Sequence, residues 1–402
     1  MNAPPQALKI LFVCGCLEPG MDGVGDYTRR LAAELNARGH RCSLLSLADS
    51  HVGEPAAGES GGANASVPHL RLPAAHSWPE RIRRAKSFCE SAAPDWISWQ
   101  FVPYAFDPRG LSFGLGGRFA EISGGRRNHV MFHEIWIGEA EQALLKNKIV
   151  GKLQRRIIKD LLRRLRPLAV HTHTPLYRHL LAGIGCDATI LPLFGNVPLA
   201  SHPRPGWLKE KWPDGWARFH LDERDSWSIF VIFGTIHPEW DGEDFLRRAS
   251  AAAQRAGKKC LLVSIGRPGA EGERILRDLQ RHEGDSWRFL NLGPQSGEDI
   301  SQCLLMADFG VSAVPPEYIF KSGTAAAMIE HGLQVITTRP AYRYPRCPPE
   351  ILSVGMRNVV LDFDLAALKK SKAESLLPAV AGRFIDDLHQ ARTAPRKEIL
   401  SA

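Results

Sequence analysis

The chain has 402 residues, of which 44% are hydrophobic and 23% are charged, a composition typical of a globular protein with a packed core. One ordinary hydrophobic core does not extend over this length, so we expect two domains. The eight cysteines lack the paired spacing of a zinc site or a disulfide framework. No signal peptide pattern and no apolar run of about 18 residues is found, so we expect a cytoplasmic protein that does not span a membrane.

The net charge is +8, and one segment, residues 146–166, equals the whole of this excess, because it contains nine basic residues and Asp160 as its single acidic one. Apolar residues recur there at every fourth position, at Ile149, Leu153, Ile157, Leu161 and Leu165. This spacing predicts an amphipathic cationic helix. Such a helix contacts an anionic membrane surface, binds an acidic ligand, or is simply the solvated face of a domain helix. No nucleic-acid-binding module accompanies the charge, so we expect no nucleic acid partner.

The N-terminal elements form a βαβ pattern with a glycine-rich turn. An apolar run at residues 8–14 predicts a buried strand, residues 26–39 a helix, and residues 40–47 a second strand. In the connecting loop Gly23 and Gly25 allow a ligand close to the backbone, and Asp26 either caps the helix or accepts a hydrogen bond from a ligand hydroxyl. The glycine spacing misses the dinucleotide fingerprint GxGxxG.

The rest of the first half continues this alternation up to a linker. We interpret residues 51–67 as a mobile loop, residues 78–92 as a helix, and residues 96–102, 129–132 and 168–174 as strands. His133 and Glu134 follow a strand directly, at the sheet edge where α/β proteins bind ligands, although a surface pair opening a loop has the same pattern. The first domain is assigned to residues 1–205, followed by an irregular linker at 206–226.

The second half repeats the alternation, which predicts a doubly wound α/β sheet over residues 227–372. Strands are expected at 227–233, 259–265, 289–293, 309–314 and 335–337, and helices at 243–256, 273–283 and 299–306. A last helix near 377–394 lies in a C-terminal segment, residues 373–402, that we expect to pack back on the first domain.

The segment between the strands at 309–314 and 335–337 has the features of a phosphate site. Ser322, Gly323 and Thr324 open a helix, and Lys321 stands beside them. The first N–H groups of a helix and its positive dipole end attract anions. The alternative is that Ser322 and Thr324 only cap the helix of an ordinary βαβ unit.

Several short segments in this order resemble the retaining nucleotide-sugar glycosyltransferases of family 4, also called group 1, which have the GT-B fold. They are Gly23-Val-Gly-Asp-Tyr-Thr28, Val130-Met-Phe-His133-Glu134, Phe233-Gly-Thr-Ile-His-Pro238, Leu292-Gly-Pro294 and Ala307-Asp-Phe-Gly-Val-Ser312. The resemblance covers nearly the whole chain. It implies an α/β protein of two facing Rossmann-like domains with an interdomain cleft, a nucleotide-diphosphate sugar as co-substrate, and no metal or other cofactor.

The resemblance also assigns roles to the candidate residues. It implies nucleotide binding by Gly234, Asn291 and Gly293, a cleft loop at Gly23, Gly25 and Asp26, and a catalytic His133 with Glu134. We assign the diphosphate to Lys321, Ser322, Gly323, Thr324 and Thr235, and the nucleotide also to Glu317 and Glu330, the nearest spare carboxylates. We expect His133 and the segment 321–325 to share one crevice.

The sequence departs from the family pattern at three places. The two glutamates that the family carries eight residues apart are replaced by Ile319 and Ala327. The basic pair expected after Gly234 is also missing. Charge neutralisation of the diphosphate is therefore assigned to Lys321, two hydroxyl groups and the helix N-terminus.

The expected activity is transfer of a sugar, with retention, to a glycan or lipid-linked acceptor in glycan, cell-envelope or glycolipid synthesis. If the cationic helix contacts lipid, the protein is peripheral at the inner membrane face. Two alternatives remain open: a GT-B nucleotide-sugar epimerase, and a binding protein that kept the fold without catalysis.

Overall fold

The structure of the chain is a computed structural model that describes residues 6–60, 66–353, 359–360, 365 and 368–393. The described residues form two compact units. The first unit takes its residues from Met1–Pro192, Arg343–Ile351 and Leu377–Ala402, and the second from Leu193–Tyr342 and Leu352–Leu376. The α/β class and the two Rossmann-like domains predicted from the sequence are confirmed.

The first unit is built on an eight-stranded sheet in the order β3-β4-β2-β1-β5-β6-β7-β8. Its strands are β1 (Lys9–Cys14), β2 (Arg41–Asp49), β3 (Ala56–Ser60), β4 (Val67–Pro73), β5 (Trp96–Phe101), β6 (Arg127–Phe132), β7 (Ala169–Thr172) and β8 (Thr189–Ile190). All neighbouring strands are parallel except the pair β3 and β4. The central strands are buried along nearly their whole length, as expected for a parallel sheet covered on both faces.

Five helices of this unit connect the strands: α1 (Gly23–Ala37), α2 (Trp78–Ala92), α3 (Leu115–Ser123), α4 (Leu145–Leu165) and α5 (Pro175–Ala182). Helix α4 is the predicted cationic helix. Ile157, Leu161 and Leu165 of its apolar stripe are buried, but Ile149 at its start is 53% exposed. The stripe therefore faces the core only in the second half of the helix.

The second unit contains a parallel six-stranded sheet in the order β11-β10-β9-β12-β13-β14. Its strands are β9 (Trp227–Phe233), β10 (Lys259–Ile265), β11 (Trp287–Gly293), β12 (Phe309–Ser312), β13 (Gln334–Thr337) and β14 (Val359–Val360). Its helices are α6 (Trp207–Lys211), α7 (Pro213–Arg218), α8 (Gly242–Arg255), α9 (Gly269–Gln280), α10 (Gly297–Met306) and α11 (Gly323–Glu330). Successive residues of β9 alternate between two apolar layers: Ile229 and Val231 pack on one face of the sheet, and Phe230 and Ile232 on the other.

The final helices lie in segments where the chain moves between the two units. Helix α12 (Pro349–Ser353) is followed, after the residues outside the described ranges, by α13 (Leu377–Thr393). Helix α13 belongs to the first unit, where Phe384 stacks on Phe12 of β1 with ring centroids 5.8 Å apart. Among the described residues, no helix is long and hydrophobic enough to cross a bilayer.

Three local predictions were wrong. The segment 51–67 contains strand β3, which pairs with β4, although residues 61–65 lie outside the described ranges. Residues 206–226 are not irregular, because α6 and α7 lie within them and Trp207 is fully buried. Helix α1 begins at Gly23 and not at Asp26, because the Asp22 carboxylate accepts a hydrogen bond from the Gly25 N–H at 2.7 Å and caps the helix.

Adjacent glycines of α3 provide a test of its packing on α4. A Cβ at Gly116 would lie 2.8 Å from the Leu161 Cα, whereas a Cβ at Gly117 would meet only the end of the Arg164 side chain at 3.9 Å. We expect Gly116→Ala to lower the free energy of unfolding by about 1–3 kcal/mol through overpacking. The control Gly117→Ala should raise it by about 0.5–1 kcal/mol, since alanine favours the helix. Denaturant unfolding measures both, and equal effects of the two changes would contradict this packing.

Candidate functional site

The strand order of the second unit creates one crevice at the carboxyl edge of its sheet. Strands β10 and β11 extend from β9 on one side, and β13 and β14 extend from β12 on the other. The connections after β9 and β12 therefore run in opposite directions and open a gap, which is where α/β sheets bind ligands. Gly234 begins the connection after β9, and the connection after β12 leads through a 3-10 turn at Pro316–Lys321 into α11.

Gly234 and Thr324, both predicted from the sequence as donor-binding residues, lie against each other at this gap. Gly234 has a φ of +79°, a conformation that favours glycine. A Cβ on Gly234 would come within 2.8 Å of the Thr324 Cγ2, so only a bare backbone fits beside the start of α11. The first connection of the second unit is thereby held next to the helix N-terminus.

The start of α11 has the geometry of an anion site. The Ser322 Oγ caps the helix by accepting a hydrogen bond from the Ala325 N–H at 3.3 Å, and it lies 3.0 Å from the Thr324 Oγ1. The N–H groups of Gly323 and Thr324 belong to the first turn, where the helix provides no acceptor of its own. Lys321 is half-buried, with its ammonium group 5.0 Å from the centre of the Tyr318 ring.

Asn196 is a further polar residue at this helix start, and the sequence analysis missed it. A Cβ at Gly323 would lie 4.0 Å from the Asn196 Cγ and Oδ1, and Asn196 is exposed. The sequence analysis placed residues 195–196 near the end of the first domain and gave them no role. Its position beside α11 depends on a contact 127 residues further on, which no local pattern reveals.

The other predicted residues of the connections after β9 and β11 lie along the same sheet edge. Backbone hydrogen bonds join these connections, from the Gly234 N–H to the Ile265 carbonyl at 2.9 Å and from the Gly266 N–H to the Gly293 carbonyl at 2.8 Å. Thr235 is exposed, with its hydroxyl 3.5 Å from the Arg267 carbonyl. Asn291 is also exposed, and its side-chain oxygen accepts a hydrogen bond from the Gly293 N–H at 3.1 Å.

Glu317 and Glu330, predicted as nucleotide contacts, are each only 2% exposed. The Glu317 Oε1 accepts a hydrogen bond from the Tyr342 N–H at 2.8 Å, and the Glu330 Oε1 accepts one from the Leu376 N–H at 2.8 Å. Burial raises the pKa of Glu317 above its ordinary value. Both carboxyl groups therefore hold segments of the second unit in place.

Ile319 and Ala327, the two positions at which the sequence analysis found no glutamate where the resemblance predicts one, belong to the apolar core. Both are buried in the layer that also contains Val231 and Val335. Gly195 packs directly on α11 at this place, because a Cβ there would lie 2.7 Å from the Ala327 Cα. Ala327 is fully buried, so a glutamate at this position would bring its carboxylate among apolar side chains.

In the first unit, the loop after β1 is fixed by the buried carboxylate of Asp49. This carboxylate accepts hydrogen bonds from the Leu17 N–H at 3.1 Å, the Ser46 hydroxyl at 3.2 Å and two nitrogens of Arg71 at 2.8 and 3.0 Å. Burial by itself would raise the pKa of Asp49, but the hydrogen bonds from Arg71 and backbone N–H groups outweigh it and lower the pKa to about 2.

The predicted cleft-loop residues Gly23, Gly25 and Asp26 all lie in the first turn of α1. A Cβ at Gly25 would be 2.5 Å from the Cys16 carbonyl oxygen, so this glycine allows the helix to pack on the loop after β1. The Asp26 carboxylate accepts a hydrogen bond from the Gly20 N–H at 3.0 Å and pairs with Arg29. Of the two roles considered for Asp26, capping belongs instead to Asp22.

His133 lies at the end of β6, and both of its ring nitrogens have partners inside the first unit. The Nε2 is 2.8 Å from the Gln100 Oε1, and the Nδ1 is 3.0 Å from the Nε2 of His173. The ring of Tyr27 meets His133 edge to face at a centroid distance of 4.9 Å. Burial, with a smaller effect of His173, lowers the pKa of His133 well below its ordinary value. Glu134, the next residue, is half-buried.

Comparison with known proteins shows a likeness in structure alone. No protein-family model matches the chain, and no characterised protein sequence does. The HepE protein of Anabaena, solved in complex with UDP, is 15% identical, with 96% of this chain and 92% of that chain covered and a TM-score of 0.52. An α,α-trehalose-phosphate synthase (UDP-forming) from Burkholderia xenovorans, in complex with glucose-6-phosphate, is 11% identical, with 98% of this chain and 93% of that chain covered and a TM-score of 0.51.

The lipopolysaccharide outer core galactosyltransferase WaaB, in its apo form, is 12% identical, with 96% of this chain and 99% of that chain covered and a TM-score of 0.51. The three likenesses each extend over nearly the whole of both chains. At these identities they establish the fold, which is the GT-B fold of nucleotide-sugar glycosyltransferases.

The low pKa of Asp49 predicts how acid affects the first unit. Because the folded pKa of about 2 lies below the ordinary value near 4, the ionised carboxylate contributes on the order of 2 kcal/mol above pH 4, and this contribution is lost as the pH falls towards 2. We expect Asp49→Asn to be less stable than the wild type at pH 7 by at least about 2 kcal/mol. The difference in free energy of unfolding should shrink as the pH falls from 4 to 2.

Asp160→Asn is the control for this experiment, since Asp160 pairs with Arg163 and Arg164 on the exposed face of α4. Exposed ion pairs contribute little to stability. Asp160→Asn should therefore change the free energy of unfolding by no more than about 1 kcal/mol. A difference between Asp49→Asn and the wild type that stays constant down to pH 2 would show that the Asp49 carboxylate does not provide the acid-sensitive contribution.

Proposed function

We propose that the protein is a glycosyltransferase that moves a sugar from a nucleoside-diphosphate sugar to an acceptor. The observation that carries the proposal is the start of α11 at the switch point of the second sheet, where Thr324 meets the bare backbone of Gly234. Lys321, the two hydroxyl groups and the first-turn N–H groups together favour a diphosphate there.

These groups act on the charge that develops during the reaction. When the bond between the sugar and the diphosphate breaks, negative charge accumulates on the leaving phosphate oxygen. The Gly323 and Thr324 N–H groups are fixed in the helix, so they stabilise this charge without rearranging. Lys321 adds a full positive charge. The diphosphate is thus bound more strongly in the transition state than in the intact donor, which is the requirement for catalysis.

UDP is the first nucleotide to test, because the HepE structure that shares this fold contains UDP. We assign the nucleoside to the connections after β9 and β11, where Thr235 and Asn291 are exposed and Gly293 leaves the backbone open. Glu317 and Glu330 support this region through their backbone contacts with Tyr342 and Leu376.

We assign the acceptor to the first unit, at the carboxyl edge of its sheet. There Glu134 follows His133, and α1 places Gly23, Gly25 and Asp26 beside the loop after β1. Both ring nitrogens of His133 already have protein partners, so we assign His133 to positioning its neighbours and Glu134 to the acceptor hydroxyl. Transfer with retention follows if the leaving phosphate accepts the acceptor proton on the same face of the sugar, a route that requires no protein nucleophile.

The exposed start of α4 favours an acceptor at a membrane. Leu144, Leu145 and Ile149 are 71%, 74% and 53% exposed, and Lys146, Lys148 and Lys152 lie among them. Apolar side chains beside cations fit a surface of anionic lipid. A pocket of about 250 Å³ next to them is lined by the cations Lys148, Lys152, Arg155 and Arg346 and by one carboxylate, Glu139. This excess of positive charge suits a phosphate group on the acceptor.

A catalytically silent binding protein is the second candidate. The observation in its favour is the burial of Ile319 and Ala327 in the apolar core, which leaves the second unit without the two carboxylates that the family uses on the donor. Such a protein would still bind a nucleoside diphosphate through the start of α11.

Incubation with a panel of UDP, GDP, ADP and dTDP sugars distinguishes these functions. We expect release of the nucleoside diphosphate from at least one donor. Lys321→Ala should lower the rate by about 10²–10³-fold, since it removes a charge beside the leaving oxygen. The matched control is Lys258→Ala, an exposed lysine of the same unit, which should leave the rate unchanged.

The outcomes of the panel separate the alternatives. Binding of nucleotide without any release favours the silent protein, and an isomerised donor without release favours an epimerase. If Lys321→Ala turns over at the wild-type rate, Lys321 is not part of the site.

Binding to vesicles tests the membrane surface. We expect the protein to bind vesicles that contain phosphatidylglycerol, and added salt should weaken the binding. Lys146→Glu with Lys148→Glu should lower the partition coefficient at least about tenfold, because each basic residue near anionic lipid contributes about 1 kcal/mol. Arg163→Glu with Arg164→Glu is the control at the other end of α4. Equal loss from both pairs would indicate attraction by net charge alone.

A further inference from the structure

A continuous chain of short hydrogen bonds crosses the first unit between the Asp387 carboxylate on α13 and the Leu191 carbonyl. It runs through four buried histidines, on β6 and β7 and directly after them, and through two polar residues of β5. The order along the chain is Asp387, His171, His129, Ser98, Gln100, His133, His173 and Leu191, joined by distances of 2.9, 2.9, 2.8, 2.7, 2.8, 3.0 and 2.9 Å.

The number of hydrogens in this chain is smaller than the number of its links. A neutral histidine contributes one hydrogen, because one ring nitrogen donates while the other accepts. The Ser98 hydroxyl contributes one, and the Gln100 amide donates on one side and accepts on the other. Four histidines, Ser98 and Gln100 thus supply six hydrogens for seven links, since both ends of the chain are acceptors. With every histidine neutral, one link would bring two acceptors face to face.

We propose that this chain binds one proton beyond those of four neutral histidines, and that the orientation of the Gln100 amide determines which end of the chain carries it. With the Gln100 Nε2 donating to Ser98, as the structure has it, the extra proton belongs to the pair His133 and His173. Rotation of the amide by 180° exchanges its donor and acceptor. The extra proton then belongs to the pair His129 and His171.

The two states differ in where the positive charge lies. In the rotated state the charge is next to the Asp387 carboxylate, whose Oδ2 lies 2.9 Å from the His171 Nε2 and also faces Arg383 at 3.8 Å. In the other state it lies in the pair His133 and His173, under the ring of Tyr27. Burial disfavours a positive charge on either pair of histidines. The Asp387 carboxylate offsets this cost for the pair His129 and His171.

Through this chain of hydrogen bonds, Asp387, His173 and Gln100 act as positioning residues for His133. They determine which nitrogen of His133 carries a hydrogen and whether the ring is charged, at the sheet edge where Glu134 follows. This consequence rests on the proposed function, whereas the extra proton itself does not. Its test therefore reads the rings directly and not the turnover.

The experiment is nitrogen NMR of the whole protein, labelled with ¹⁵N-histidine, at pH 8. The spectrum shows how many hydrogens each histidine ring carries. An ordinary histidine, with a pKa of about 6.5, is neutral at this pH. We expect one of the four histidines in the hydrogen-bond chain, or a pair of them that shares the positive charge, to remain protonated on both ring nitrogens. In Asp387→Asn the new amide can donate the seventh hydrogen to His171, so every chain histidine should carry a single ring hydrogen.

Ser98→Ala gives a second, independent test. It removes two links and one donor, so the remaining five links are satisfied by four neutral histidines and Gln100. The doubly protonated ring should disappear there too. Asp386→Asn, which removes the same charge from the exposed neighbour of Asp387, and Ser91→Ala on α2 are the controls and should leave the spectrum unchanged.

Four singly protonated rings in the wild type at pH 8 would overturn the proposal, and so would a doubly protonated ring that persists in Asp387→Asn or Ser98→Ala. Loss of turnover with an unchanged ring spectrum would concern the proposed function alone.

Discussion

The contact between Gly234 and Thr324 is the constraint on which the candidate donor site depends. A parallel sheet places the connections after β9 and β12 side by side, but it does not determine how near they come. The missing side chain at residue 234, together with its positive φ, lets backbone approach the first turn of α11. The helix start then lies at the crevice with its N–H groups and the Ser322 cap in fixed positions. A fixed arrangement of dipoles is what stabilises a leaving phosphate most effectively.

Packing around the same helix accounts for the apolar residues Ile319 and Ala327. Gly195 packs against the backbone of Ala327, which is fully buried, and Ile319 is buried in the same apolar layer. The buried carboxyl groups that remain nearby, Glu317 and Glu330, accept hydrogen bonds from the backbone. Under the proposed function, donor recognition would depend on the helix N-terminus and Lys321 more than on carboxylates. Backbone groups bind a diphosphate well, but they discriminate poorly among sugars.

The fold was largely predictable from local patterns, because buried strands and capped helices have strong local signals. Trp227–Phe233 and Lys259–Ile265 have the predicted bounds, α2 begins and ends where expected, and Ser322 caps α11. The failures have physical causes. Strand β3 is polar and forms only because β4 pairs with it, and the caps Asp22 and Asp26 are indistinguishable without the loop geometry. Asn196 reaches α11 through a long-range contact.

The histidine chain was beyond sequence analysis for a related reason. His171 and His173 alternate along the sequence, which shows only that they share one face of a strand. Their partners come from β5, β6 and α13, which only the folded first unit brings together. A buried histidine alone favours the neutral state, and burial lowers the pKa of His129, His133 and His173. A hydrogen-bond chain with acceptors at both ends opposes the neutral state. One added proton provides the hydrogen for a link that otherwise joins two acceptors. The protonation of His133 is therefore a property of the whole chain and cannot be assigned from the burial of one ring.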